Sequence, residues 1–201
     1  EHIFEAGIGA SEASFSAQGY LGKKTSYLIS VRQSYLQFLF KALDLPFLPT
    51  YTDALLKAKT RLGERNELEF LYVAAWDDMK LNSGLDTVSD MSGEDAQKIY
   101  NTYLLGNLPK IKQHAYTYGM GYRHYTRKGI HSFTLSHNAL WNRNDKFENN
   151  IADEARRLLL VQSGEQEVHG RYEGKVNLME TQNAQWKLLI GIHMDQSMYS
   201  I

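Results

Sequence analysis

Seven histidines are the residues of this chain best suited to hold a metal ion or move protons near neutral pH. Such chemistry needs three or four donors brought to one point, so their spacing matters more than their number. His131 and His137 stand six apart on a candidate strand, too far to share an ion, and His114 and His124 fall at opposite ends of another. Glu167 with His169, and His193 with Asp195, share a strand face at i, i+2. Two donors are short of a site, and no third stands nearby in sequence. The histidines are therefore read as polar-face or rim residues, with no metal and no cofactor expected. Asp77-Asp78 and the run Asn142–Asn150 offer oxygen donors for calcium, but the glycine-centred spacing of a calcium loop is missing. They read as solvated loop residues. No Ser/His/Asp nucleophile motif, phosphate-cradling glycine loop or paired-carboxylate motif stands out, and the chain holds no cysteine. Catalytic residues are not expected, and neither is enzyme activity.

The elements that carry these residues are long alternating strands between four tight turns: Leu21–Lys24, Gly63–Asn66, Thr126–Gly129 and Glu180–Asn183. Before the second turn Thr52, Ala54, Leu56, Ala58, Thr60 and Leu62 share one face, against Asp53, Lys57, Lys59 and Arg61 on the other. Tyr116, Tyr118, Met120 and Tyr122 oppose Thr117, Gly119, Gly121 and Arg123, and Trp186, Leu188, Ile190, Ile192 and Met194 oppose Lys187, His193 and Asp195. Period two places each set on one side of a sheet. Eight or nine strands are expected, near 2–11, 12–20, 25–36, 51–62, 67–79, 110–125, 130–141, 156–179 and 186–200. The first two can be one strand, and the eighth can be two pieces. Long connections alternate with the tight turns, at about Gln37–Thr50, Lys80–Pro109 and Asn142–Glu154. A helix is expected over Asp90–Gly106, capped by Ser92 with Glu94 and Asp95 in its first turn. Leu36, Leu39, Phe40 and Leu43 fall at helical spacing until Pro46 and Pro49.

Short turns on one side and long loops on the other are the layout of an all-β, antiparallel up-and-down transmembrane barrel. The strands also meet the roughly 9–11 tilted residues that cross a hydrocarbon layer. Mean hydropathy of −0.45 is compatible with this, because lumen-facing positions are polar. The competing architecture is a soluble β-sandwich or lipocalin-like barrel acting as a ligand-binding or structural domain. Its turns should recur every 8–12 residues or so, whereas these stand roughly 40–60 apart by the numbering above. No apolar run approaches the length of a membrane helix. A net charge of −1, from 22 basic and 23 acidic residues, leaves no basic excess for nucleic acid, which is not expected as a partner.

On a barrel, Arg32, Lys57, Lys59, Arg61, Glu67, Glu69 and Lys187 are expected to face the lumen, since Lys or Arg facing lipid at the midplane costs about 2–4 kcal/mol. Leu56, Ala58, Phe70, Tyr72, Ile190 and Ile192 are expected to face lipid. Thirteen tyrosines and three tryptophans suit an aromatic girdle, with Trp76, Tyr116 and Trp186 near strand ends. Tyr100, Tyr103 and Trp141, read as loop aromatics, are the candidates for ligand contact.

From Ser30 to Asp53 the sequence resembles the early barrel of TonB-dependent outer-membrane receptors of the Bacteroidetes type. Arg32-Gln33-Ser34-Tyr35 is followed by an apolar stretch, the prolines Pro46 and Pro49, and Tyr51-Thr52-Asp53 at a strand start. Phe15–Lys23 is similar to the family's strand running into a Gly-Lys turn, and Lys57–Glu69 resembles its next hairpin. Gly121–Tyr125 and Leu135–Asn138 look like later barrel strands. The resemblance covers most of the chain and is most specific over 15–77. It implies a partial barrel spanning 1–201 as one domain, within a transporter whose full barrel has about 22 strands and whose amino-terminal plug these residues lack. The implied role is energised uptake of a glycan, peptide or metal chelate across a bacterial outer membrane. The implied partners are outer-membrane lipid, the plug and remaining barrel strands, a TonB-type energy-transducing protein and a surface lipoprotein. The strands near Phe4 and Ile192 are then expected to be edges of one open curved sheet.

Overall fold

The structure, a computed structural model, describes residues 1–86, 95–180 and 184–201. The alternating segments form nine strands: β1 (His2–Ile8), β2 (Glu12–Leu21), β3 (Thr25–Ser34), β4 (Phe47–Arg61), β5 (Asn66–Leu81), β6 (Lys110–Tyr125), β7 (Gly129–Phe147), β8 (Arg157–Glu180) and β9 (Gln185–Ser200). They lie in one sheet in sequence order, each antiparallel to the next. β1 and β9 each have a single neighbour, so the sheet is open. The first two expected strands are separate, joined across Gly9–Ser11 by a hydrogen bond from the Gly9 amide to the Glu12 carbonyl (2.8 Å). The eighth is one strand of 24 residues.

The first two tight turns work because glycine takes backbone that L side chains avoid: φ is +68° at Gly22 and +130° at Gly63. Thr181–Asn183 of the fourth lie outside the described residues. Two of the long connections differ from expectation. β4 begins at Phe47 rather than Tyr51 and carries Pro49, which is tolerated because its missing N–H falls where β4 has β5 beside it but no longer β3. β7 runs through Phe147, so Asn142–Phe147 is strand, and the connection shrinks to residues 148–156. Leu36–Ala42 is a short helix, α1, held to the start of β4 by an edge-on Phe40–Phe47 pair (5.3 Å). The expected longer helix is α2, Asp95–Asn107. Ser92 and Glu94 lie outside the described residues.

The described residues form no conventional core. Among the described residues the buried hydrophobic side chains are Ala17, Ala74, Leu85, Leu105, Ala139 and Phe147, while large apolar residues stay exposed along every strand except β4. The accessible surface is 14163 Å²; a compact monomer of 23.1 kDa would expose about 9,700 Å². A soluble domain would have folded this excess against a second layer. Here the apolar face of a single sheet is left uncovered.

Candidate functional site: the polar face and the loop rim

Directly opposed residues of neighbouring strands share a face, so the register sorts the side chains. One ladder runs Phe4, Ala17, Ile29, Leu56, Tyr72, Tyr118, His137, Val168, Gln196, and the next runs through Tyr27, Ala58, Phe70, Met120, Leu135, Gly170 and Met194. Leu56, Ala58, Phe70, Tyr72, Ile190 and Ile192 all fall on this apolar face. Arg32, Lys57, Lys59, Arg61, Glu67, Glu69 and Lys187 all fall on the other.

The apolar run drifts across the sheet in a way that gives its orientation. On β3 it centres on Ile29, which the ladder carries to Gln196 on β9, yet the β9 run Trp186–Met194 centres on Ile190. Six residues of drift over six strand spacings is one residue per strand, about 3.4 Å of rise for each 4.8 Å step sideways. A level band needs strands tilted by about 35°, the lower end of the range for membrane barrels. On β5 the run from Leu68 to Trp76 spans about 27 Å along the strand, or about 22 Å vertically at that tilt, against an apolar band of about 25 Å.

Trp76 and Trp141 lie on one ladder at the loop-side edge of this band, with His114 between them. Trp186 lies at the short-turn end of β9. Trp141 is thus a strand residue on the apolar face, packed on Tyr116 (5.3 Å between ring centres), and not a loop aromatic. The loop placement read from sequence is thereby corrected, because β7 continues six residues past it. Tyr116 lies inside β6 rather than at its end. Tyr100 and Tyr103 are on α2 and exposed.

On the polar face the charges are paired across strands. Lys57 Nζ lies 2.9 Å from Glu69, Lys59 Nζ 2.9 Å from Glu67, and Arg123 reaches both carboxylates at 3.5 and 3.7 Å. The Tyr125 hydroxyl also donates to Glu67 (3.0 Å). Arg32 donates to Asp53 at 2.9 Å and lies 3.9 Å from Glu12. Arg61 and Lys187 stand toward the short turns, without an ion pair among the described residues. Exposed pairs of this kind contribute about 0–1 kcal/mol each; their effect is a charged wall of fixed pattern. Arg123, which bridges the network, stands on the polar side of the alternation but was not singled out from sequence.

The β8–β9 register brings together what the sequence held apart. His169 opposes Asp195 directly, with Nδ1 2.5 Å from Oδ1, and His193 Nε2 lies 3.0 Å from the same oxygen. Glu167 Oε2 is 3.3 Å from His169 Nε2. All four lie on the polar face. The calcium candidates are not assembled: Asp77 and Asp78 are successive strand residues on opposite faces, and Asp145 is taken by Arg143 and Arg157.

At the loop rim, beyond the apolar band, Lys146 is buried and spends its three donors on the Leu105 carbonyl (2.8 Å), the Leu108 carbonyl (3.1 Å) and Asn150 Oδ1 (3.0 Å). It thereby pins the carboxyl end of α2. Burial pushes its ammonium below the ordinary lysine value.

No protein-family model matches the sequence, and no curated protein does. Three crystal structures of variants of the ferric enterobactin receptor of Pseudomonas aeruginosa, one in complex with enterobactin, are similar in fold. Their TM-scores are 0.61, 0.62 and 0.58, at 15%, 15% and 16% identity. The match covers 98% of this chain and 30% of each receptor. The chain has the fold of part of these receptors, one antiparallel β-sheet of nine strands in sequence order.

Proposed function

We propose that these 201 residues are a partial-barrel domain of a TonB-dependent outer-membrane transporter, of the Bacteroidetes type that Ser30–Asp53 resembles. The observation that carries this reading is the pair of faces: a coreless meander with a level, tryptophan-edged apolar band on one side and charges on the other. In the full barrel the apolar face meets lipid, and Arg32, Lys57, Lys59, Arg61, Glu67, Glu69 and Lys187 line the lumen or meet the plug. The two free sheet edges pair with further strands, since open edges do not persist in hydrocarbon. Energy reaches the plug from a TonB-type protein of the inner membrane, and a surface lipoprotein hands over the nutrient. Tyr100 and Tyr103 on α2 stand at the outer rim, where a nutrient is met first. The role is transport and not catalysis.

Fractionation of cells producing the full-length protein tests this. Recovery in the outer membrane, extraction only with detergent, and nutrient-dependent growth lost with the gene or with the energy-transducing partner are the expected results. A monodisperse protein in detergent-free buffer would instead favour the soluble ligand-binding domain.

A further inference from the structure

The four residues Glu167, His169, His193 and Asp195 are not explained by a charged wall. Elsewhere on the polar face Glu67, Glu69 and Asp53 face lysine or arginine. Among the described residues Glu167 and Asp195 pair with neither; their ionic partners are the two histidines. Arg171, directly across from His193, is engaged by Glu173 (2.5 Å). With neutral imidazoles the cluster thus holds two carboxylates that no lysine or arginine compensates, beside two imidazoles.

Its geometry also fits a metal ion. One ligand atom from each of His169, His193 and Asp195 lies within 4.8 Å of the others. Bonds of about 2.0–2.2 Å in a tetrahedral site place donors roughly 3.3 Å apart, so modest rotation of side chains that are exposed or half-buried closes the set. Both imidazoles now point at a single Asp195 oxygen; swinging that carboxylate aside opens the point between them. The remaining His169 nitrogen, Nε2, lies 3.3 Å from Glu167 and 3.0 Å from Asn138 Nδ2. Glu167 in turn accepts from Ser197 (3.3 Å). A ligating imidazole whose second nitrogen meets a carboxylate is the usual outer-shell arrangement of zinc sites.

We propose that His169, His193 and Asp195 bind a divalent late transition-metal ion of the zinc class, with Glu167 as the positioning residue for His169. Imidazole with carboxylate selects such ions over calcium or magnesium, and three protein ligands leave a fourth position to water. The site depends only on the β8–β9 register, so it stands or falls separately from the transport reading, which membrane fractionation tests.

The probe is Co2+ added to the detergent-purified full-length protein, followed by its visible absorption and by competition with Zn2+. We expect one Co2+ per chain with the intense bands of a four-coordinate ion, displaced by Zn2+. His193→Gln and Asp195→Asn should each weaken binding 100-fold or more, and Glu167→Gln about 10-fold. His114→Gln should leave it unchanged. His193 and Asp195 are exposed on the last strand, so these variants keep the sheet, which circular dichroism verifies. An aqua-ion spectrum, or equal binding by wild type and the His169→Gln/His193→Gln double variant, would overturn the proposal.

Discussion

Replacing Lys146 with methionine should release α2 from the loop rim while leaving the sheet intact. A helix ending at Asn107 leaves its last carbonyls without intrahelical donors. The structure supplies substitutes: the Leu108 amide for Leu104 (3.0 Å), the Asn107 side chain for Tyr103 (2.7 Å) and Lys146 Nζ for Leu105 (2.8 Å). Leu105 is 1% exposed and Lys146 8%, so water cannot readily replace the lost donor. A buried acceptor left unpaired costs about 1–3 kcal/mol, and the lost cation at the helix carboxyl end adds about 0.3–1. Relief from burying an ammonium offsets part of this, leaving about 2–3 kcal/mol. α2 has 13 residues, a length at which an isolated helix is marginal, so its order rests on that docking. Hydrogen exchange of peptides covering 95–108 should accelerate about 30- to 150-fold, the factor that 2–3 kcal/mol implies, while β4–β7 peptides are unchanged. Equal α2 protection in Lys146→Met and wild type would refute the anchoring argument.

Three further outcomes follow from the same geometry. Gly106→Ala, with nothing within 4 Å of the added methyl, should slow α2 exchange by the roughly 1 kcal/mol that separates alanine from glycine in a helix. Gly129→Ala places its methyl 2.0 Å from the Lys175 carbonyl oxygen, so the start of β7 must shift. A loss of about 1–3 kcal/mol, read as a lower unfolding midpoint in denaturant, is expected, and an unchanged midpoint would show that the β7–β8 register is wrong there. The chain has no cysteine, so single spin labels report cleanly: labels at Phe70 and Ile192 should be relaxed by oxygen dissolved in lipid, and labels at Lys59 and Lys187 by a water-soluble nickel chelate. A reversal of that pattern would invert the two faces.

Much of the fold was legible because period-two alternation is a local property. Lys57, Lys59 and Arg61 must share a side whatever β4 pairs with, and the runs around Leu56, Phe70 and Ile190 must oppose them. Tight turns at Gly22 and Gly63 follow from glycine's access to positive φ, and the alternation of turns with long connections fixes the order of strands. Strand ends were less legible. Polar residues at 142–146 and Pro49 look like loop, yet both are strand, because beyond the apolar band the sheet needs no continuous apolar side and polar side chains find partners instead, as Lys146 does at Leu105 and Leu108. For the same reason Trp141 was read as loop when it edges the band.

Pairings across strands were decided only by the tertiary structure. Arg123 joins Glu67 and Glu69 through the β5–β6 ladder, and Lys146 finds α2 across 41 residues of chain. The histidine–carboxylate cluster is the sharpest case. Glu167/His169 and His193/Asp195 are each visible in sequence, but their union needs His169 opposite Asp195. A two-residue turn at Thr181-Gln182 would oppose His169 to Met194 instead, and a one-residue slip sends side chains to the other face. The observed register includes an irregularity between Asn177 and Met179, an extra residue on one strand that no local alternation encodes. Sequence sets which side chains share a face along one strand; the register set by that irregularity decides which of them meet.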